Sequence, residues 1–126
     1  MLIAFASSDG VHVNQHFGWS KQFELYRLTA EHVEFVKILD SSDDAIADEH
    51  EKLAYKIGSI KEADILYCSQ IGPTASKMVL ASKIYPMRSG ENDRIDETIV
   101  KLQELLLGNP PPWLQRIVHT SKDNAI

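Results

Sequence analysis

Residues Leu2-Ile3-Ala4-Phe5-Ala6 form an unbroken apolar run, the pattern of a short strand covered on both faces. Ser8-Asp9-Gly10 breaks it and opens a polar stretch that reaches Ser20. From Gln22 to Leu28, Phe23, Leu25 and Tyr26 stand among polar neighbours; after the turn Thr29-Ala30-Glu31, Val33 to Leu39 reads as a second strand. The spacing predicts a hairpin over 22–39. Asp40-Ser41-Ser42-Asp43-Asp44 is rich in helix-capping residues, and Ile46, His50, Leu53, Ala54 and Ile57 follow at helical spacing, predicting a helix from about 44 to 60.

Asp64-Ile65-Leu66-Tyr67-Cys68 is another short buried strand. Gly72-Pro73 starts a second helix, with proline at the first position, where no amide donor is needed. Ile84-Tyr85-Pro86-Met87 reads as a last strand ended by Pro86. Beyond the loop Ser89-Gly90-Glu91-Asn92, residues Ile95, Ile99, Leu102, Leu105 and Leu106 mark a third amphipathic helix stopped at Gly108. Pro110-Pro111-Pro112-Trp113-Leu114 is expected to be extended, with a short helix after it.

The predicted order is β-β-β-α-β-α-β-α, with no internal repeat or linker. Right-handed crossovers make the first, fourth and fifth strands parallel, and the hairpin completes one side of the sheet. The expected architecture is α/β: a mixed five-stranded sheet with helices on its faces. Residues 1–118 form the expected domain and 119–126 a C-terminal tail.

At 126 residues, with 44% hydrophobic and 25% charged residues, the chain has the composition of one globular domain. Its formal charge of −5 argues against nucleic acid as a partner, since phosphates call for a basic face. Cys68 is the single cysteine, so an intrachain disulfide and a four-cysteine metal site are both excluded. The apolar start lacks the basic lead of a signal peptide, and no run approaches the roughly 18 apolar residues of a membrane span. A cytoplasmic location is expected.

The topology brings two distant segments together. The loop after the first strand carries His12 and His16, and Cys68 ends the fourth strand; as parallel neighbours, both leave the carboxyl edge of the sheet, where open α/β sheets bind ligands. Residues 10–23 hold Lys21 and two histidines but no carboxylate, and residues 65–90 hold Lys77, Lys83 and Arg88, again without one. That pattern favours an anionic guest. The helix opening at Gly72-Pro73 is expected to attract anions and lower the thiol pKa of Cys68.

Plainer readings compete. Cys68 could be a small buried hydrophobe, and His16 could simply bond its own loop. His50 falls on the apolar side of its helix and reads as structural; His32 lies in a solvated turn, and His119 in an exposed tail. Asp43, Asp44, Asp48, Glu49 and Glu51 read as a solvated helix start, Met78-Val79 as packing, and Trp113 as folded back on the body. Neither GxGxxG nor GxxxxGK[ST] occurs.

Ser7-Ser8-Asp9-Gly10 followed by Val13-Asn14-Gln15-His16-Phe17-Gly18 resembles the SDG…HFG segment of the dinitrogenase iron-molybdenum cofactor biosynthesis family. Glu51-Lys52-Leu53-Ala54 with Ile57, Cys68 with Ile71-Gly72-Pro73-Thr74-Ala75, and Lys83-Ile84-Tyr85-Pro86-Met87 continue the likeness in order. Gly108-Asn109-Pro110-Pro111-Pro112-Trp113-Leu114 is similar to the ending of its NifX-type members, so the resemblance spans residues 1 to about 118.

The resemblance implies a ribonuclease-H-like fold and the binding of an iron–sulfur precursor, or of the finished iron-molybdenum or iron-vanadium cofactor, during nitrogenase assembly. The resemblance carries His16 over as the best ligand candidate and matches Cys68 to a cysteine frequent at its place; the candidate cofactor-binding residues are His16, Cys68, His12, Asn14, Gly18 and Gly72, with His16 and Cys68 as the candidate metal ligands. Tyr85 replaces the histidine common between the isoleucine and proline, which removes one possible ligand from that edge of the site. The implied partners are other nitrogenase cofactor-assembly proteins.

A resident iron–sulfur cluster takes four protein ligands, chiefly cysteines. One cysteine and one or two histidines suit transient carriage instead, without catalysis. Three rivals remain: a nuclease, which would need clustered carboxylates; a Cys–His hydrolase built on His16 and Cys68; and a non-catalytic regulatory module that docks a protein through its Pro-Pro-Pro-Trp tail.

Overall fold

A computed structural model describes residues 1–124. In chain order the elements are β1 Leu2–Ala6, β2 His12–Val13, a 3-10 turn Phe17–Trp19, β3 Gln22–Leu28, β4 Val33–Asp40, α1 Glu49–Ser59 and β5 Ile65–Cys68. There follow α2 Pro73–Ala81, β6 Tyr85–Arg88, β7 Asp93–Arg94, α3 Ile95–Leu107, α4 Pro112–His119 and a closing 3-10 turn Lys122–Asn124. Five strands form one sheet in the order β4-β3-β1-β5-β6, and β2 pairs with β7 in a separate two-stranded ribbon. β1 runs parallel to β5, and β5 to β6, while β3 is antiparallel to both β1 and β4. The mixed five-stranded sheet expected from the strand pattern is therefore present.

Alternation along β1 divides the core in two. Leu2, Ala4 and Ala6 face a cluster with Phe23, Leu25, Ile57, Ile60 and Val79, which belongs to the α1 and α2 side. Ile3 and Phe5 face the other cluster, with Ile95, Ile99 and Leu102 of α3 and Leu114 and Ile117 of α4. Every residue of β1 is buried, as its continuous apolar run requires.

Several boundaries differ from the sequence reading. α1 begins at Glu49 rather than 44, because Asp48 is the residue whose carboxylate accepts the Glu51 amide (2.9 Å). Its inward face is Leu53, Lys56, Ile57 and Ile60, whereas His50 and Ala54 are exposed. β6 continues through Pro86 to Arg88. It is the outermost strand, where a proline is tolerated because its nitrogen can face the unpaired side. In the C-terminal segment, helix starts at Pro112, so Trp113 and Leu114 are helical rather than extended. Residues 121–123 bond to the body through Ser121, Lys122 and Asp123. The last two residues of the expected 119–126 tail lie outside the described residues.

Candidate functional site

The polar stretch after β1 is shaped by Asp9. One carboxylate oxygen accepts the amides of Val11 and His12 (2.8 Å each) and the Ser7 hydroxyl (3.1 Å), and the other lies 2.8 Å from Nδ1 of His12. The His12 contact, then the two amides, hold the Asp9 carboxyl well below the usual carboxylate range. Gly10 follows at φ +75°, where a side chain would be strained and its Cβ would lie 2.8 Å from Oε1 of Glu24. Glu24 is buried beneath this turn; burial raises its pKa, and its second oxygen has no hydrogen-bond partner among the described residues.

Beyond β2 the chain meets the segment after β5. The Ser69 amide donates to the Gln15 carbonyl (3.0 Å), the Phe17 amide donates to the Gln70 carbonyl (2.8 Å), and His16 and Gln70 form a parallel bridge. The segment after β6 joins them: Ser89 donates its amide to the Cys68 carbonyl (2.9 Å), and Arg88 its Nε to the Ser69 carbonyl (3.3 Å). The carboxyl ends of β1, β5 and β6 thus share one rim. The expected convergence of the His16 loop with the end of β5 is what the backbone forms.

The rim encloses a groove with two lobes. One, about 460 Å³, runs between Gly18, Trp19, Ile71 and Gly72. The other, about 420 Å³, runs between Asn14, Ser69, Ser89 and Asn92. His16, Gln70 and Arg88 line both, so the imidazole stands at the junction. A Cβ added at Gly18 or Gly72 would meet nothing within 4 Å, so the groove there is open to a guest.

The sequence-derived site residues separate into three groups. His16, Asn14, Gly18 and Gly72 line the groove. His12 lines neither lobe and is engaged with Asp9. Cys68 lies under the rim but is fully buried among apolar side chains. Burial pushes its thiol up from 9.0 to about 11, outweighing the Gln70 amide and the Arg88 charge that pull the other way. The expected thiolate is therefore reversed: an unexposed thiol is neither a ready metal ligand nor the nucleophile a Cys–His hydrolase needs. Asn14 also has a structural duty, accepting the Ser8 amide (3.0 Å) and donating to the Ser8 hydroxyl (3.0 Å).

The expected basic cluster does not assemble either. Lys21 pairs with Asp44 at 3.6 Å, Lys77 is exposed on α2, and Lys83 lines a cleft with Asp64 and Lys122 where β5 and β6 begin. Arg88 alone of these reaches the groove, and it makes no ion pair among the described residues. Tyr85 also lies away from the rim. It pairs with Ile65 at the start of β6, about 10 Å along the strand from Arg88, and stacks on Trp113 with ring centres 5.3 Å apart. Its replacement of histidine leaves the groove untouched.

Of the groove residues outside the sequence candidates, Gln70 and Trp19 bear most directly on His16. Gln70 is recognisable only through its pairing with His16. Trp19 carried a usable signal, since it lies three residues after His16 across a glycine. Its ring stacks on the imidazole, with centres 4.3 Å apart and planes 12° from parallel. Among the described residues no three His, Cys, Asp or Glu side chains gather to hold a metal ion.

Comparison with known proteins agrees with this architecture. The chain is 35% identical over 127 residues to protein NifX of Herbaspirillum seropedicae, covering 100% of this chain and 87% of that one. It is 30% identical to protein NifX of Sinorhizobium fredii, covering 94% and 78%. The crystal structure of PH0822 shares the fold with a TM-score of 0.65 at 22% identity, over 82% of this chain and 91% of that one. Residues 1–105 match the dinitrogenase iron-molybdenum cofactor family model. The chain belongs to that family.

Proposed function

We propose that this protein binds and carries an iron–sulfur precursor or the finished nitrogenase cofactor, iron-molybdenum or iron-vanadium, during cofactor assembly. The observation that carries this reading is the His16 side chain, which makes no capping hydrogen bond and lies at the junction of an open groove built by three strand ends. A neutral imidazole is a competent iron ligand. Gly18 and Gly72 leave space for a bulky guest, and Arg88 offers an unpaired cation to an anionic one. So few protein ligands give a hold that another assembly protein can break, which suits a carrier without catalytic activity.

Cys68 is assigned to packing rather than ligation, and His12 to bracing the Asp9 turn. The sheet order, with its antiparallel second strand, is the ribonuclease-H-like arrangement in this reading. Partners are other nitrogenase cofactor-assembly proteins in the cytoplasm, with no part for nucleic acid. Among the described residues no helix is long and apolar enough to cross a membrane.

The test is anaerobic addition of purified precursor or finished cofactor, followed by desalting and measurement of retained iron and visible absorbance. Stoichiometric retention that falls at least tenfold in His16→Ala is expected, since losing even an outer-shell partner of a metal ligand costs about ten- to a hundredfold. Unchanged retention in that variant would remove His16 from the site. Gly18→Ala should keep the wild-type stability within about 0.5 kcal/mol, as exposed positions do, yet weaken retention by narrowing the groove.

A further inference from the structure

A histidine that binds metal is usually held in place by a hydrogen bond from its second ring nitrogen to a carboxylate, carbonyl or water. His16 has no such partner among the described protein groups: it caps the Phe17–Trp19 turn without a side-chain hydrogen bond. Its ring contact is Trp19, stacked at 4.3 Å and 12°.

The local sequence explains why the two rings superimpose. A 3-10 turn has three residues per turn, so side chains at positions i and i+3 eclipse. His16 is the extended cap of that turn and Trp19 its last residue, and the Trp19 amide donates to the His16 carbonyl (3.1 Å), so the two residues stand one turn apart. Between them Phe17 is fully buried as an anchor, and Gly18 adds no side chain to separate the rings. Trp19 is itself 73% exposed, too open to serve as a core residue.

We propose that Trp19 is the positioning residue for His16, fixing the imidazole by stacking where other sites use a hydrogen bond. This rests on His16 being the ligand of the carried cluster. Stacking acts on the ring face and leaves both ring nitrogens free in the plane. Coordination moves electron density from a ring nitrogen toward iron, making the imidazole more positive. The indole face, with its negative quadrupole, favours that more positive ring over the uncoordinated one. Trp19 therefore both orients the ligand and strengthens its hold once the cluster arrives.

The test uses the full chain in four forms: wild type, Trp19→Phe, Trp19→Ala and His16→Ala. In cargo-free protein, proton NMR should show the His16 ring signals displaced by the indole ring current, with the displacement lost in Trp19→Ala. An unchanged His16 spectrum would overturn the stack. Anaerobic titration with purified precursor cluster should show Trp19→Ala weakened about tenfold, with Trp19→Phe recovering most of the loss.

Equal weakness in both Trp19 variants would overturn positioning by stacking. Wild-type retention in Trp19→Ala alongside loss in His16→Ala would reject the role of Trp19 and leave the carrier reading standing. Wild-type retention in His16→Ala would reject both. Because Trp19 is exposed, unfolding curves should coincide for wild type and both Trp19 variants, so a loss of binding cannot be a loss of fold.

Discussion

Around the Cys68 sulfur, opposing influences decide the chemistry. The Gln70 amide and Arg88 favour thiolate, but enclosure among Leu66, Val79 and Ile84 favours thiol, and the pKa rises to about 11. A folded-state pKa above the unfolded one gives stability that is complete below the unfolded value and lost as pH rises through the folded value. Denaturant unfolding should therefore show stability falling between about pH 9 and 11, by on the order of 2 kcal/mol from this group. Tyr67, pushed up to about 12 by burial, adds a loss of the same sign at higher pH. Cys68→Ala should remove the thiol's share of the slope at a packing cost of about 1 kcal/mol. An identical slope in that variant would show that the thiol is not the titrating group. A sequence shows that a cysteine ends a strand; its solvation depends on what lies above it, so the place of His16 on the rim was legible while the state of Cys68 was not.

Among the elements, α1 bears on the groove indirectly, through the turn that follows His16. Lys56 is 2% exposed and donates its ammonium to the carbonyl of Ser20, the residue that ends the His16 turn. The Ser41 hydroxyl donates to the same carbonyl at 3.0 Å, and Asp43 lies 4.0 Å from the ammonium. Burial lowers the Lys56 pKa, while Asp43 and then Asp44 oppose that shift. Lys56→Met should cost about 1.5–3 kcal/mol, the range for hydrogen bonds to charged groups, and should speed amide exchange at Trp19 and Ser20, whose amides both bond the His16 carbonyl. Unaltered exchange there would disconnect α1 from the turn. The helix itself was legible from Leu53 and Ile57. Its start at Asp48 was obscured by the cap-rich run 40–44, although Asp43 and Asp44 do not carry the capping-box spacing that Asp48 has with Glu51. Nor could periodicity place a lysine on the buried face, since that position is acceptable only where a carbonyl from another segment awaits it.

Across the whole molecule, the end of the sheet opposite the groove is closed by residues 121 and 122. Asp64, 4% exposed, accepts the Leu2 amide (2.8 Å), the Ser121 hydroxyl (2.9 Å) and the Lys122 amide (2.9 Å). Lys122 also donates to the carbonyls of Lys61 and Ala63 at 2.9 Å each. Asp64→Ala leaves those donors unmet and should cost roughly 3 kcal/mol, read as a lower Tm with cluster retention unchanged in the folded protein. A Tm equal to wild type would mean that this strap carries no stability. With Leu114 and Ile117 in the core, removal of the chain after Gly108 would disturb folding as well as any docking by the tail.

The order of residues was enough to set the five strands of the main sheet and their parallel and antiparallel pairings, because apolar periodicity and the right-handed crossover leave few ways to cover both faces of β1. It also determined that His16 meets the end of β5, since parallel neighbours bring their following loops to one edge. Tertiary structure alone decided which groups at that edge remain accessible. It sealed Cys68, sent Lys83 and Tyr85 to the far end, paired Lys21 with Asp44, and laid Trp19 on His16. Burial and pairing are sums over neighbours from every part of the chain, and no local pattern of residue types contains them.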